Sequence, residues 1–447
     1  MLTISTDFLS FFFLFYCVLY NLFLCLFFLL TRLLPQKEGR EAQRDARETH
    51  SARNPGILTV MIPALNEGKV LERTVLELLA LPYPGEREIL VIDDNSDDNT
   101  ALIAERLSAS YEEVRILRRG PPRARRGKGD ALNHGFSHLR AAFPERDLED
   151  WIIGVFDADG RPVEDDLLSE TERVFQDDSV SAAQCGVRIR NGHHLLAALQ
   201  DVEFATFSFI TQTVRDRTSG AVALGGNGQF IRASVLERLS AAGACWEGST
   251  LTEDLDIGTR IHLMGGRIRF ISRWVEQEGV ESFRALFRQR HRWAWGTLQV
   301  FLRHLLSGRI MRSKIPLTKK LDLHYYLSFW IVPFVVLLSF LLSLLDLGGI
   351  LRVKSSFGTT FLLMNSFSFV PMIVLGLTWA KLPVHKIMYL VPLTVVYAYH
   401  WIPVLIWGWV SVLKRERPHW AKTQRYSEGG ERVVDLAGKP ERVKASR

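Results

Sequence analysis

Two long apolar stretches frame a chain whose middle alternates short apolar runs with acidic and glycine-containing turns. Residues 8–34 are Phe-rich with Arg32 as their one charge, and residues 324–413 are mostly apolar. A helix crosses the hydrocarbon core of a bilayer with about 20 apolar residues. The first stretch meets that length. Asp7 precedes it and no A-x-A site follows, so it reads as a signal anchor and not as a cleaved signal peptide. Three further spans are expected at residues 325–347, 357–380 and 388–413, with Pro333, Pro371, Pro392 and Pro403 tolerable as kinks in lipid.

Between the apolar stretches, residues 36–54 are polar and read as a linker. The run 57–62, stopped by Pro63, predicts a buried strand. A helical pattern over 70–81 follows. A second strand at 89–92 ends in Asp93-Asp94-Asn95-Ser96-Asp97-Asp98, helix 100–107 comes next, and strand 151–156 ends in Asp157-Ala158-Asp159. This alternation predicts an α/β fold with parallel strands and right-handed crossovers. Ligands in such sheets bind outside the carboxyl ends of the strands, so both acidic clusters are expected at one site. Residues 255–264 predict a helix. Residues 282–306 predict a basic amphipathic helix of the kind that lies in a membrane interface.

Composition narrows this only a little. Hydrophobic residues make up 47% and charged residues 23%, which excludes a disordered or collagen-like chain. The net charge of +6 invites a nucleic-acid reading. Many of the basic residues instead crowd beside the apolar stretches, where a lipid surface accounts for them, and no nucleic-acid partner is expected. Cys17, Cys25, Cys185 and Cys245 make no CxxC, which disfavours a zinc site or disulfide framework. Arg32 and Lys37 lead into the polar region; Arg303, Arg309, Arg312, Lys314, Lys319 and Lys320 leave it. The positive-inside rule therefore puts this region in the cytoplasm. The same rule puts the tail from Lys414 there too, whereas three late spans would put it outside. The charge rule is the firmer guide, so one late segment is expected to be re-entrant or broken.

Candidate chemistry sits at the strand ends. Asp157 and Asp159 present two carboxylates to one hard cation, Mg²⁺ or Mn²⁺, of the sort that bridges to a phosphate; a solvated turn is the plain alternative. Asp93 and Asp94 have the same status, while Asp97 and Asp98 read as a turn and helix cap. Arg125-Arg126-Gly127-Lys128-Gly129-Asp130 is not a P-loop. It reads as a loop bringing Lys128 to a diphosphate, or as an exposed basic loop. Thr252-Glu253-Asp254 follows Gly225-Gly226-Asn227-Gly228 and reads either as a site or as a helix cap. Gln289, Arg292 and Trp293, at i, i+3 and i+4, share one helix face.

Pro63-Ala64-Leu65-Asn66-Glu67, Asp93-Asp94-Asn95, Lys128, Asp157-Ala158-Asp159, Thr252-Glu253-Asp254 and Gln289-x-x-Arg292-Trp293 occur in an order that resembles family 2 membrane glycosyltransferases, among them cellulose, hyaluronan and bacterial diacylglycerol β-glucosyl synthases. The resemblance implies a GT-A nucleotide-sugar domain and an inverting transfer from a UDP-sugar. It implies Glu67 and Asp93 at the base with Asp94 nearby, and Pro63 and Asn66 in the same donor-binding segment. It places Asp157 and Asp159 on a Mg²⁺ or Mn²⁺ ion. It makes Asp254 the general base beside Glu253, with Gln289, Arg292 and Trp293 closing over diphosphate and acceptor. The implied organisation is an anchor (1–34), a linker (35–54), a GT-A domain (55–280), an interfacial helix region (281–320), transmembrane helices (321–414) and a basic tail (415–447) in the plasma membrane. Segments 155–159, 226–230, 253–263 and 275–280 look most like the diacylglycerol branch, which favours a lipid acceptor. A processive polysaccharide synthase is the alternative, and an inactive scaffold a further one.

Overall fold

The computed structural model describes residues 3–5, 7, 18–33, 55–218, 220–328, 330–354, 369–379 and 382–416. Expectations for the linker, most of the tail, residues 8–17 of the first apolar stretch and residues 355–368 fall outside these. Helix α1 (Tyr20–Leu33) precedes the sheet domain. The domain then alternates β1 (Ile57–Ala64), α2 (Leu71–Ala80), β2 (Arg87–Asp93), α3 (Thr100–Ser110), β3 (Val114–Arg118), α4 (Lys128–Ala142) and β4 (Trp151–Val155). It continues through β5 (Arg161–Pro162), α5 (Leu167–Phe175), β6 (Val180–Ile189), α6 (Leu195–Thr206), β7 (Gln229–Arg232), α7 (Ala233–Ala241), α8 (Glu253–Leu263), β8 (Arg267–Gln277) and α9 (Phe283–Val300).

The eight strands form one sheet in the order β3-β2-β1-β4-β7-β6-β8-β5. β1 to β4 are parallel, as the alternation predicts; β7 runs antiparallel to both β4 and β6. Side chains alternate across the sheet with period two. Leu58, Val60, Ile62, Ile89 and Val91 pack under α2, α3 and α5. Met61, Leu90, Ile92, Ile153 and Val155 pack under α4, α7 and α8. The core is therefore two apolar layers around one sheet.

Two boundaries differ from expectation. Pro63 does not stop β1: it stays in register with Ile92 of β2. The β4 ladder beside it has already ended at the Met61–Val155 pair, so the proline's missing N–H costs no ladder bond. Residues 128–130 are not loop but the first turn of α4.

Apolar helices clasp the domain: α10 (Leu317–Ser328), α11 (Ile331–Leu347), α12 (Val370–Trp379), α13 (Val384–Ala398) and α14 (Trp401–Leu413). Among the described residues one helix, 384–413, is long and apolar enough to cross a membrane. The described part of the first stretch forms the shorter helix α1, and the expected span 325–347 divides between α10 and α11. Four spans are thus not carried by the described residues. α9 continues as a wider π-turn segment, Phe301–Leu306, so the expected helix 282–306 is present. It is less interfacial than its charge pattern suggests, because Ala285, Leu286, Arg290, Ala294, Trp295 and Leu298 are all buried. Ala294 packs with Val404 and Leu405 of α14, and His291 stacks on Trp407 at 3.9 Å.

Candidate active site

The carboxyl ends of β1, β2 and β4 lie side by side, with Ala64 opposite Asp93 and Met61 opposite Val155. The N-termini of α4 and α8 point to the same edge. A cavity of about 680 Å³ opens there. It takes in Pro63, Glu67, Asp94, Lys128, Asp157, Glu253, Asp254, Gln289, Arg292 and Trp293. Most residues singled out from sequence therefore converge. Three do not face the cavity. Asn66 and Asp93 shape the turns beside it: Asn66 has φ of 55° and accepts the Asp97 amide at 2.6 Å, and Asp93 accepts the Ser96 amide at 3.3 Å. Asp159 is buried behind it, where its Oδ2 accepts the Glu278 amide at 3.1 Å.

At the outer end Asp94 accepts from Arg119 at 2.6 Å and from the Arg125 amide at 3.0 Å. Burial pushes its carboxyl above the usual range, against the pull of those two donors. Arg119 is itself buried and also pairs with Asp130 on α4. Asp98 acts as a cap group, accepting the Thr100 amide at 2.9 Å, whereas the Asp97 carboxylate pairs with Arg125.

At the centre the Lys128 ammonium donates to Asp157 at 2.5 Å and to the Gly226 carbonyl at 2.6 Å. Burial would lower its pKa, but Asp157, Glu253 and Asp254 outweigh that and hold it above its ordinary value. Burial raises Asp254, opposed by Lys128 and Arg292. Burial, then the Asp254 charge, pushes Glu253 up to about 7. Lys128, with Arg292 beside it, thus serves three acids, and burial outweighs both cations to hold Glu253 and Asp254 above their ordinary values. A Cβ on Gly226 would sit 3.1 Å from the Lys128 Nζ, so a side chain there would crowd the ammonium. Gln184, buried mid-strand in β6, fixes this loop by accepting the Gly225 amide and donating to the Asn227 carbonyl. Asn227 in turn accepts the Asp157 amide at 3.2 Å.

The remaining wall is α9. It crosses the turn before α8 so closely that a Cβ on Gly296 would lie 2.7 Å from the Thr252 backbone nitrogen. Between Gln289 and Arg292 stands Arg290, fully buried. It donates to Glu203 of α6 at 2.7 Å and to Gln289 at 3.2 Å, and lies 4.0 Å from the Trp293 ring centroid. Glu203 also accepts from Tyr397 at 2.8 Å and from Trp401 at 3.1 Å. Asp256, fully buried, accepts from Arg260 at 2.7 Å and sits 2.8 Å from His304, tying α8 to the end of α9. Arg119, Gln184, Glu203, Arg290 and Asp256 escape the motifs. Of these, Gln184 and Glu203 carry a signal, a polar residue inside an otherwise apolar element.

Asp157, whose carboxylate is only partly covered and faces the cavity, offers an oxygen ligand of the kind a hard divalent cation takes, while its Oδ1 accepts from Lys128. One oxygen of Asp159, Oδ2, takes the Glu278 amide.

A family model described as glycosyltransferase like family 2 matches residues 55–296. The chain is 27% identical over 384 residues to "Probable glycosyltransferase YdaM" of Bacillus subtilis (strain 168), covering 83% of this chain and 87% of that one. It is 34% identical over 271 residues to the beta-monoglucosyldiacylglycerol synthase of Synechocystis sp. (strain ATCC 27184 / PCC 6803 / Kazusa), covering 60% of this chain and 53% of the synthase. The match thus spans about half the synthase's length. Among solved structures, a mannosyltransferase from Pyrobaculum calidifontis, in complex with GDP-Man and Mn²⁺, superposes with a TM-score of 0.53 at 19% identity, over 82% of this chain and 89% of that chain. That likeness supports the GT-A fold.

Proposed function

The chain belongs to family 2 of the glycosyltransferases, and on that premise we propose that it moves a hexose, glucose first among candidates, from a UDP-sugar to a membrane lipid such as diacylglycerol, with inversion. The observation that carries the reading is one cavity with two kinds of lining. Carboxylates and cations from distant parts of the chain supply the first; aromatic and aliphatic side chains from α1, α12 and α13 supply the second. The first suits a charged donor, the second an acyl chain.

Lys128 and Arg292 face the leaving diphosphate, whose charge grows as the anomeric C–O bond breaks. Asp254 takes the acceptor's proton as its oxygen attacks the opposite face of the anomeric carbon. The sugar inverts, the nucleoside diphosphate leaves, and the proton stays on Asp254. Trp293 and Gln289 border the acceptor side. Asp94 and Glu67 border the nucleotide. Asp157 would hold a Mg²⁺ or Mn²⁺ ion, which would supply neutralisation of the diphosphate. Chelation is expected to abolish transfer and added Mn²⁺ or Mg²⁺ to restore it; undiminished turnover in chelator would remove this role from Asp157.

The charge balance also sets a pH profile. A raised carboxylate must lose its proton before it can act as a base, so activity rises with pH along an acid limb that the burial of Asp254 displaces upward from the ordinary aspartate range. Glu253→Gln removes the competing charge, and the acid limb should move to lower pH. A limb that stays in place would contradict the coupling.

The reading is tested with the purified chain in vesicles containing dioleoylglycerol, supplied with labelled UDP-glucose. Label is expected in the lipid extract as a β-glucoside, with UDP released mole for mole. Label in an insoluble glycan would favour a polymer synthase, and no release from any donor an inactive scaffold.

A further inference from the structure

A chain of side-chain carboxamides links the sheet to the cavity beside Asp157, and its last member has no part in the transfer chemistry above. Gln277 is the final residue of β8. Its backbone stays in the ladder opposite Ile189, and the Arg190 amide donates to its carbonyl at 3.1 Å. Its side chain is partly buried and lines the cavity. There its Oε1 accepts from Asn227 Nδ2 at 3.1 Å, while its Nε2 has no partner among the described residues.

The orientation of this amide is set from the sheet outward. A backbone N–H can only donate, so the Asn227 atom that meets the Asp157 amide at 3.2 Å is the oxygen. The Asn227 nitrogen then faces Gln277, which occupies the Gln277 oxygen and leaves its NH2 as the open end. The Asn227 backbone is held as well, because Gln184 donates to its carbonyl at 2.8 Å. Gly160 makes room for the carboxamide: a Cβ there would lie 2.5 Å from Asn227 Oδ1. Gln277 thus presents N–H donors, and the complement of these is an oxygen acceptor.

The neighbouring residue shows which oxygen comes near. Gly226 stands between the cation that meets the leaving group and the base: a Cβ on it would lie 3.1 Å from Lys128 Nζ and 3.4 Å from Asp254 Oδ2. A sugar in transfer spans the same gap, with its diphosphate at Lys128 and its anomeric carbon before Asp254. Asn227, next in the chain, and Gln277 beside it flank that gap. The diphosphate already has Lys128 and Arg292, whereas the sugar's hydroxyls have no partner yet. A neutral amide matches a neutral hydroxyl, and a site built to bond a substrate hydroxyl discriminates against an analogue lacking it.

We propose that Gln277 donates to one hydroxyl of the donor hexose and so sets which UDP-hexose the site prefers, with Asn227 as the residue that aims it. This rests on the UDP-hexose reading above and is independent of the acceptor.

The test measures donor binding by calorimetry, using the full-length chain in lipid nanodiscs with Mn²⁺ and no acceptor lipid. The ligands are UDP, UDP-glucose and the series of UDP-glucose analogues that each lack one sugar hydroxyl. One analogue is expected to bind about five- to tenfold more weakly than UDP-glucose, the size of one neutral hydrogen bond. Gln277→Met keeps the side-chain length and removes the donors. It is expected to weaken UDP-glucose by that factor, to leave that analogue unchanged, and to bind UDP as the natural chain does, which also shows that the variant is folded. Equal affinity of the natural chain for UDP-glucose and every deoxy analogue would overturn the proposal without any variant. A loss in Gln277→Met that falls equally on UDP would overturn it, as would a variant that keeps every deoxy penalty in full. If neither UDP nor UDP-glucose binds the natural chain, the donor reading fails and this inference with it.

Discussion

Replacing Asp254 with Asn is expected to leave the chain folded and to cut sugar transfer by about 10²- to 10⁴-fold, the range that a positioned base supplies. Asp254 stands at the start of α8, where its Oδ1 accepts the Leu255 amide at 2.8 Å. An asparagine keeps a carbonyl oxygen for that bond, so the helix start survives. What it loses is the lone pair that takes the acceptor's proton. The change also removes a negative charge beside Lys128 and Arg292. Donor binding should therefore hold or tighten while turnover falls. Measuring UDP binding by calorimetry and product formation in the same preparation separates the two. A variant that turns over normally would show that Asp254 is a helix-start residue and no more.

Arg290→Met should be the most damaging change away from the reacting atoms. It strands the Glu203 carboxylate, which keeps only the Tyr397 and Trp401 donors. Breaking a buried pair from one side costs about 3–5 kcal/mol, and because Glu203 is only half-buried and keeps two donors this case falls at or below about 3. For a domain of this size that lowers the melting temperature by roughly 6–12 °C. The loss also reaches the site. Gln289 loses a donor and Trp293 loses the cation beside its ring. A misplaced wall residue can cost about 10²-fold in rate. The decline should fall on kcat as much as on KM, and Arg290→Lys should recover stability before rate, because an ammonium balances Glu203 without reproducing the fork. A melting curve that does not move would contradict the account of this cluster.

The α/β frame and its edge were readable because β1, β2 and β4 are short apolar runs ending in Asn66-Glu67, Asp93-Asp94 and Asp157. Those ends are where a parallel sheet presents its ligands. α4 was missed because Gly129, Asn133, His134, Gly135 and His138 dilute its apolar period, although Leu132, Phe136 and Leu139 are buried on one face. The second half of the sheet was illegible for other reasons. β6 is built from small residues such as Ala182, Ala183 and Gly186, β7 spans only Gln229–Arg232, and β8 carries Arg267, Arg269 and Arg273 outward. Spacing put Gln289, Arg292 and Trp293 on one face but could not show that Arg290, on the buried side, holds that face in place. Asp159 shows a further limit of spacing: its separation from Asp157 matches a metal pair but could not show that its Oδ2 takes the Glu278 amide.

The most direct test is an experimental structure of Asp254→Asn in lipid with UDP-glucose and Mn²⁺. The diphosphate is expected beside Lys128 and Arg292, the ion at Asp157, and the anomeric carbon facing residue 254 beneath Trp293. A donor bound outside this cavity, or one whose anomeric carbon faces away from residue 254, would contradict the assignment of the site.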